Sequence, residues 1–237
     1  MKKLFDKMYK DSAKSFYEIL SKNLKDEKRM FVVTANPETF MISDTDKEME
    51  KLLCDKKTVI VPDGIGIVKS SHMLGLDVKE RITGVDIAAE LLKLGDEQNK
   101  SIYLFGSKQE VIDSLTKVIE ENYPNLKIAG ATNGYEKEKD KLFSEAAKTN
   151  PDIILVALGI PNQEKIIYRH LEEFKKGIFV GVGGTFDVLS GHKKRAPKIF
   201  INLNLEWLYR IMKEPKRFKR FWNNNVKFLL KIRKEGK

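Results

Sequence analysis

Six short apolar runs, rich in Val and Ile, punctuate the chain at Phe31–Ala35, Thr58–Pro62, Ser101–Gly106, Leu126–Ala131, Asp152–Leu158 and Gly177–Val182. Amphipathic stretches separate them: Lys47–Leu53, Val85–Leu94, Gln109–Asn122 and Glu138–Thr149. Strands that alternate with helices require crossover connections, and these give a mainly parallel sheet. The expectation is an α/β fold: a Rossmann-like sheet flanked by helices. Before the first run, residues 1–28 read as a separate helical segment with Phe16, Ile19, Leu20 and Leu24 on one face.

Charge divides the 237 residues unevenly. From Lys193 onward, 15 basic residues face three acids (Glu206, Glu214, Glu235), a net +12 within a whole-chain charge of +10, which leaves −2 for residues 1–192. A nearly neutral body with a basic tail points to a polyanionic partner, either nucleic acid or an anionic membrane. Projected as a helix, Lys216–Lys234 gathers Phe218, Phe221, Trp222, Val226, Phe228, Leu229, Leu230 and Ile232 into an arc of about 200°. Ile199–Met212 is also strongly apolar, and Pro215 breaks the two apart. Nucleic-acid arms rarely need so broad an apolar face, whereas a helix lying in a membrane interface does. Membrane docking is therefore expected over nucleic acid, with packing onto the body or onto a second copy as the other option. The division is an α/β catalytic domain at 1–194 and a basic amphipathic helical appendage at 195–237. Residues 1–28 carry no apolar core of a signal peptide, and no apolar run approaches a spanning length, so a cytoplasmic, peripheral protein is expected.

Ligands of open parallel sheets bind beyond the C-terminal strand ends. Here those ends read Thr34-Ala35-Asn36-Pro37-Glu38, Pro62-Asp63-Gly64-Ile65-Gly66, Gly106-Ser107, Gly159-Ile160-Pro161-Asn162-Gln163-Glu164 and Gly183-Gly184-Thr185. Glycines allow close backbone approach, and amides at Gly106-Ser107 and Gly183-Gly184 can meet a diphosphate. Neither a P-loop nor a dinucleotide fingerprint is present. A single cysteine, Cys54, and three unpaired histidines give no zinc-type ligand spacing. Asp44-Thr45-Asp46 fits a metal-holding D-x-D, but it opens a helix that Ser43 or Asp44 would cap. Asp63 is either a desolvated base at the cleft mouth or an ordinary Asx-turn residue. Arg81 is either a site cation or a surface ion-pair partner, and Thr83 is the expected cap of the helix after it.

Taken in order, with Glu80-Arg81-Ile82-Thr83-Gly84, Gly181–Asp187 and Arg195-Ala196-Pro197 added, these motifs resemble the WecG/TagA/CpsF family of bacterial glycosyltransferases from about Phe31 to Arg220. The resemblance is to the branch acting in wall teichoic acid synthesis. It implies an inverting transfer of N-acetylmannosamine from a UDP donor to polyprenyl-diphosphate-linked N-acetylglucosamine, with a β-1,4 linkage and neither metal nor cofactor. It assigns Asp63 as general base and Arg81 as the cation on the leaving diphosphate. Thr34, Asn36 and Gln163 become pocket residues that orient sugar. The basic tail becomes the means of docking on the membrane that holds the acceptor. Arg210, Arg217 and Arg220 are further expected to reach the cleft and neutralise a diphosphate. A related donor (UDP-N-acetylmannosaminuronate or UDP-glucose), a non-enzymatic membrane- or nucleic-acid-binding module, and a homo-oligomer held by the tail remain as alternatives.

Overall fold

The computed structural model describes residues 1–235, without the side chains of Arg217, Arg220, Phe221, Asn223, Asn224 and Glu235. All six expected strands form: β1 (Arg29–Ala35), β2 (Thr58–Pro62), β3 (Ser101–Gly106), β4 (Lys127–Thr132), β5 (Ile153–Ala157) and β6 (Gly177–Gly181). They make one sheet in the order β2-β1-β6-β5-β3-β4, and every neighbouring pair is parallel. The central strands are apolar on both faces because helices cover both. Successive side chains point to opposite sides. Phe31 and Val33 therefore enter one core layer, while Met30 and Val32 enter the other.

Helices sort onto the two faces by their apolar stripes. In chain order they are α1 (Lys2–Lys7), α2 (Ala13–Lys25), α3 (Pro37–Ser43), α4 (Lys47–Cys54), α5 (Ile65–Met73), α6 (Gly84–Glu97), α7 (Gln109–Asn122), α8 (Lys139–Lys148), α9 (Asn162–His170), α10 (Thr185–Leu189), α11 (Lys198–Asn202), α12 (Glu206–Lys213) and α13 (Arg217–Glu235). Phe40 of α3, Met49 of α4, Ile67 of α5, Phe143 of α8 and Ile167 of α9 fill the first layer. Leu20 of α2, Leu91 of α6, Leu115 of α7 and Phe186 of α10 fill the second.

The N-terminal residues are not a separate segment. Leu4, Phe5 and Met8 belong to the first layer, whereas Phe16, Leu20 and Leu24 belong to the second. The chain between them wraps the free edge of β2, where the Tyr9 amide donates to the Ile60 carbonyl at 2.8 Å. This strap covers an edge that would otherwise offer unpaired backbone groups. Ile19, expected on the buried face, is 38% exposed.

The tail departs from a simple interfacial helix. Phe228 and Ile232 of α13 are fully buried in the first layer. The Phe228 ring lies 6.3 Å from that of Phe5 and 5.7 Å from that of Phe40. Lys231 adds an ion pair with Asp44 at 2.5 Å. Phe218, Trp222, Leu229 and Leu230 stay exposed, as do Ile199, Leu203, Trp207 and Met212 in and around α11 and α12. No helix among the described residues is long and apolar enough to cross a membrane.

Candidate active site

Topology opens the crevice before any side chain is considered. From β3 the chain continues into α7 on one face of the sheet, and from the adjacent β5 it continues into α9 on the other. The same divergence separates β1, followed by α3, from β6, followed by α10. Strand-end loops part at such points, which makes the ends of β1, β6, β5 and β3 the place where this topology seats a ligand, here called the groove. Its floor is close-packed. A side chain on Gly106 would have its Cβ 2.4 Å from the Ala157 carbonyl oxygen, and φ there is +118°. The Gly106 requirement thus comes first from the β3–β5 contact. Ser107 follows, with its amide donating to Ala157 at 2.9 Å and its carbonyl accepting from Gly134 at 2.7 Å. Lys108 does not cap the start of α7 through its side chain, and in the first turn the Glu110 carboxylate accepts from its own amide.

Gln163 knits two of these loops together. It is 2% exposed, and its Oε1 accepts from the amides of both Gly159 and Gly183, each at 3.0 Å. Its Nε2 donates to Glu164 Oε1 at 2.8 Å. The sequence points to Gln163 as a direct sugar contact; in the structure its polar atoms fix the loops that form the groove. Glu164 is buried, its Oε2 has no hydrogen-bond partner among the described residues, and burial pushes its carboxyl up to about 7. Gly184, beside Gly183, has open space where a side chain would stand.

At the β1 end, Thr34 is buried and its hydroxyl donates to the Gly181 carbonyl at 3.4 Å. Asn36 caps α3 through Oδ1, which accepts from the Thr39 amide at 3.1 Å. Its Nδ2 has no hydrogen bond among the described residues and remains for a ligand. Asp46, not Ser43 or Asp44, caps α4: its Oδ1 accepts from the Glu48 and Met49 amides at 3.1 Å. The cap thus lies two residues beyond Asp44, and the helix starts at Lys47, where the amphipathic run also starts. Both D-x-D aspartates are held by lysines, Asp46 by Lys165 and Asp44 by Lys231, each at 2.5 Å.

Asp63 sits at the end of β2, where its amide donates to Ala35 at 2.8 Å and Gly64, with φ +101°, turns the chain into α5. Its carboxylate accepts no hydrogen bond among the described residues, so it is not serving an Asx turn. It is half-buried. Desolvation pushes its carboxyl up to about 6, against the pull of Arg210 and Arg81 and with help from Glu206 and Asp86. Arg210, exposed in the last turn of α12, thus acts electrostatically on the expected base. Arg217 and Arg220 lie in α13, but their side chains are outside the described residues.

Arg81 is only 15% exposed and pairs with Glu206 of α12; its second terminal nitrogen donates to the Ile201 carbonyl at 3.2 Å. Arg195 bridges Glu206 at 3.4 Å and Asp86 at 2.7 Å. Thr83 caps α6 as expected and also donates to Asp86 at 2.6 Å. Burial raises the Asp86 carboxyl, but hydrogen bonds from Arg195 and Thr83 outweigh it and hold the group below its ordinary value. Behind this cluster is a cavity of about 360 Å³ lined by Tyr17, Ile65, Val68, Arg81, Asp86 and Asn204, among others. Asp86 and Glu206 escape a reading of the sequence alone. A lone acid within a strongly basic, apolar stretch is the signal that could have found Glu206.

A groove of backbone amides beside arginines and a desolvated carboxylate suits transfer from a substrate whose leaving group is an anion. The fold and site together define an α/β group-transfer enzyme. The chain belongs to the glycosyl transferase WecG/TagA/CpsF family, which it matches over residues 5–237. It is 40% identical to the N-acetylglucosaminyldiphosphoundecaprenol N-acetyl-beta-D-mannosaminyltransferase of Bacillus subtilis (strain 168), covering 94% of this chain and 87% of that one. The protein of the same name from Bacillus spizizenii is 38% identical, with 83% and 76% covered. That from Staphylococcus aureus (strain MW2) is 34% identical, with 94% and 85% covered.

Proposed function

We propose that this protein transfers N-acetylmannosamine from UDP-N-acetylmannosamine to undecaprenyl-diphosphate-linked N-acetylglucosamine, with inversion and a β-1,4 linkage, in wall teichoic acid synthesis. The names of its relatives supply the sugar and the acceptor. The observation that carries the chemistry is Asp63, a desolvated carboxylate facing two guanidinium charges at the end of β2.

Inversion needs the acceptor hydroxyl to attack the anomeric carbon from the side opposite the departing UDP. As the new C–O bond forms, Asp63 takes the hydroxyl proton and the bond to UDP breaks. A carboxyl titrating near 6 is still mostly ionised at neutral pH, yet it is a stronger base than an ordinary aspartate. The leaving diphosphate gains negative charge, which Arg81 and Arg210 offset in place of a divalent cation. The ion-paired state of Asp44 and Asp46 supports a metal-free reading. Asn36 Nδ2 and the groove amides supply donors to the sugar nucleotide, and the cavity beside Arg81 offers room for a sugar residue.

The acceptor is a membrane lipid, so the body must reach a bilayer. The exposed apolar residues of α11–α13 and their basic neighbours suit that contact, which supports a reading of the protein as peripheral on the inner face of the membrane. Purified full-length protein, given UDP-N-acetylmannosamine and a short lipid-diphosphate N-acetylglucosamine in EDTA, should form the disaccharide. Faster transfer from UDP-glucose or UDP-N-acetylmannosaminuronate, or loss of transfer in EDTA that metal restores, would overturn the reading.

A further inference from the structure

Glu206 is the one buried residue of α11 and α12, helices that otherwise lie exposed or half-buried on the body. It is also one of three acids among the 15 basic residues from Lys193 onward. Burying a carboxylate there requires partners, and it has two: Arg81 on Oε2 and Arg195 on Oε1. Arg195 does not depend on Glu206 for its place, because Asp86 grips it at 2.7 Å and Thr83 in turn holds Asp86. What remains if the Glu206 side chain is withdrawn is a gap between two guanidinium groups, beside Asp63.

We propose that the gap between Arg81 and Arg195 is a diphosphate subsite, which the Glu206 carboxylate fills while no nucleotide is bound. This deepens the transferase reading and rests on it. Guanidinium forks recognise carboxylate and phosphate oxygens through the same geometry, so a glutamate is an internal stand-in for the ligand's own oxygens. Two arginines against Glu206 and Asp86 make a cluster of zero net charge. A diphosphate added with Glu206 still in place would set anion against anion; exchanging one for the other relieves that repulsion. Among the described residues, the exchange also breaks the side-chain tie of α12 to Arg81, and with it the Arg81–Ile201 contact is free to open. Nucleotide binding thereby loosens α11 and the first turn of α12 from the body, while Arg210 in the last turn of α12 stays with the diphosphate. Arg195 becomes a further cation on the leaving group, a role that Arg81 and Arg210 alone do not cover.

The test uses full-length protein, with inorganic pyrophosphate, UDP and uridine as titrants in calorimetry. Removing one like charge a few ångströms from the ligand is a change of roughly tenfold. Glu206→Gln should therefore tighten pyrophosphate and UDP about tenfold and leave uridine unchanged. Adding Arg195→Gln to that variant should cancel the gain. Equal or weaker pyrophosphate binding by Glu206→Gln would make Glu206 a brace rather than a stand-in. Should that variant fold poorly, the wild-type protein supplies an independent readout. Pyrophosphate should speed its tryptic cleavage after Lys198, at the start of α11, and unchanged or slower cleavage there would overturn the proposal. None of these readouts involves sugar transfer, so a failed transfer assay and a failed exchange remain separate results.

Discussion

The two sides of α13 have nearly the same chemistry and opposite fates. Phe228 and Ile232 are inserted beside Phe5 and Phe40 in the core, while Phe218, Trp222, Leu229 and Leu230 face outward. Both sets belong to the one apolar arc that the sequence shows. Amphipathic spacing fixes where a helix forms and how wide its apolar face is; it does not say what covers that face. Here a short N-terminal helix, α1, supplies Phe5 and converts part of the face into core. The tail is thus both anchored and exposed, as the proposed docking on a membrane requires.

The largest expected effect that separates the two sides is on stability. Phe228→Ala removes a fully buried ring and should cost about 3–5 kcal/mol in denaturant unfolding. A cost below about 1 kcal/mol would mean that α13 is not part of the core. Trp222→Ala with Leu230→Ser should leave unfolding within about 0.5 kcal/mol. The same pair should weaken binding to anionic vesicles by at least roughly a hundredfold, given about 1.5–3 kcal/mol for each of the two large apolar side chains. Vesicle binding that survives this change but follows Phe228 would reverse the assignment of the two sides.

The smallest effect tests the body against the tail through a buried acid. Native Glu164 keeps its proton up to about pH 7, whereas the unfolded chain releases it near 4.5. The stability it contributes is therefore whole below pH 4.5 and lost as the pH rises through 7. The Tm of Glu164→Gln should gain on wild type by a few degrees across that window. A constant difference would place Glu164 outside the titrating groups.

Most of the sheet is legible in the sequence, because strands buried on both faces appear as unbroken Val- and Ile-rich runs. Ser101–Gly106 and Thr58–Pro62 match to the residue. Asp63 and Arg81, read from two separate motifs, are close enough for the guanidinium to act on the carboxyl. What stays hidden depends on long-range contact. Helical spacing puts Ile19 on a buried stripe, yet it is 38% exposed. Gln163 matches a pocket position of the family, but the amides of Gly159 and Gly183, in the loops after the neighbouring strands β5 and β6, claim its oxygen. Glu206 lies 125 residues from Arg81 in sequence, and no local pattern connects them.

Titration of residue 63 bears most directly on the chemistry. For the wild type, kcat/KM should fall tenfold per pH unit below about 6, since only ionised Asp63 can take the proton. Arg81→Gln removes a nearby positive charge and should move that limb upward. Asp63→Asn should lose at least about a hundredfold at pH 7.5 while binding UDP as well as wild type. Transfer by Asp63→Asn within tenfold of wild type, with the acid limb still near 6, would contradict the assignment of Asp63 as the base.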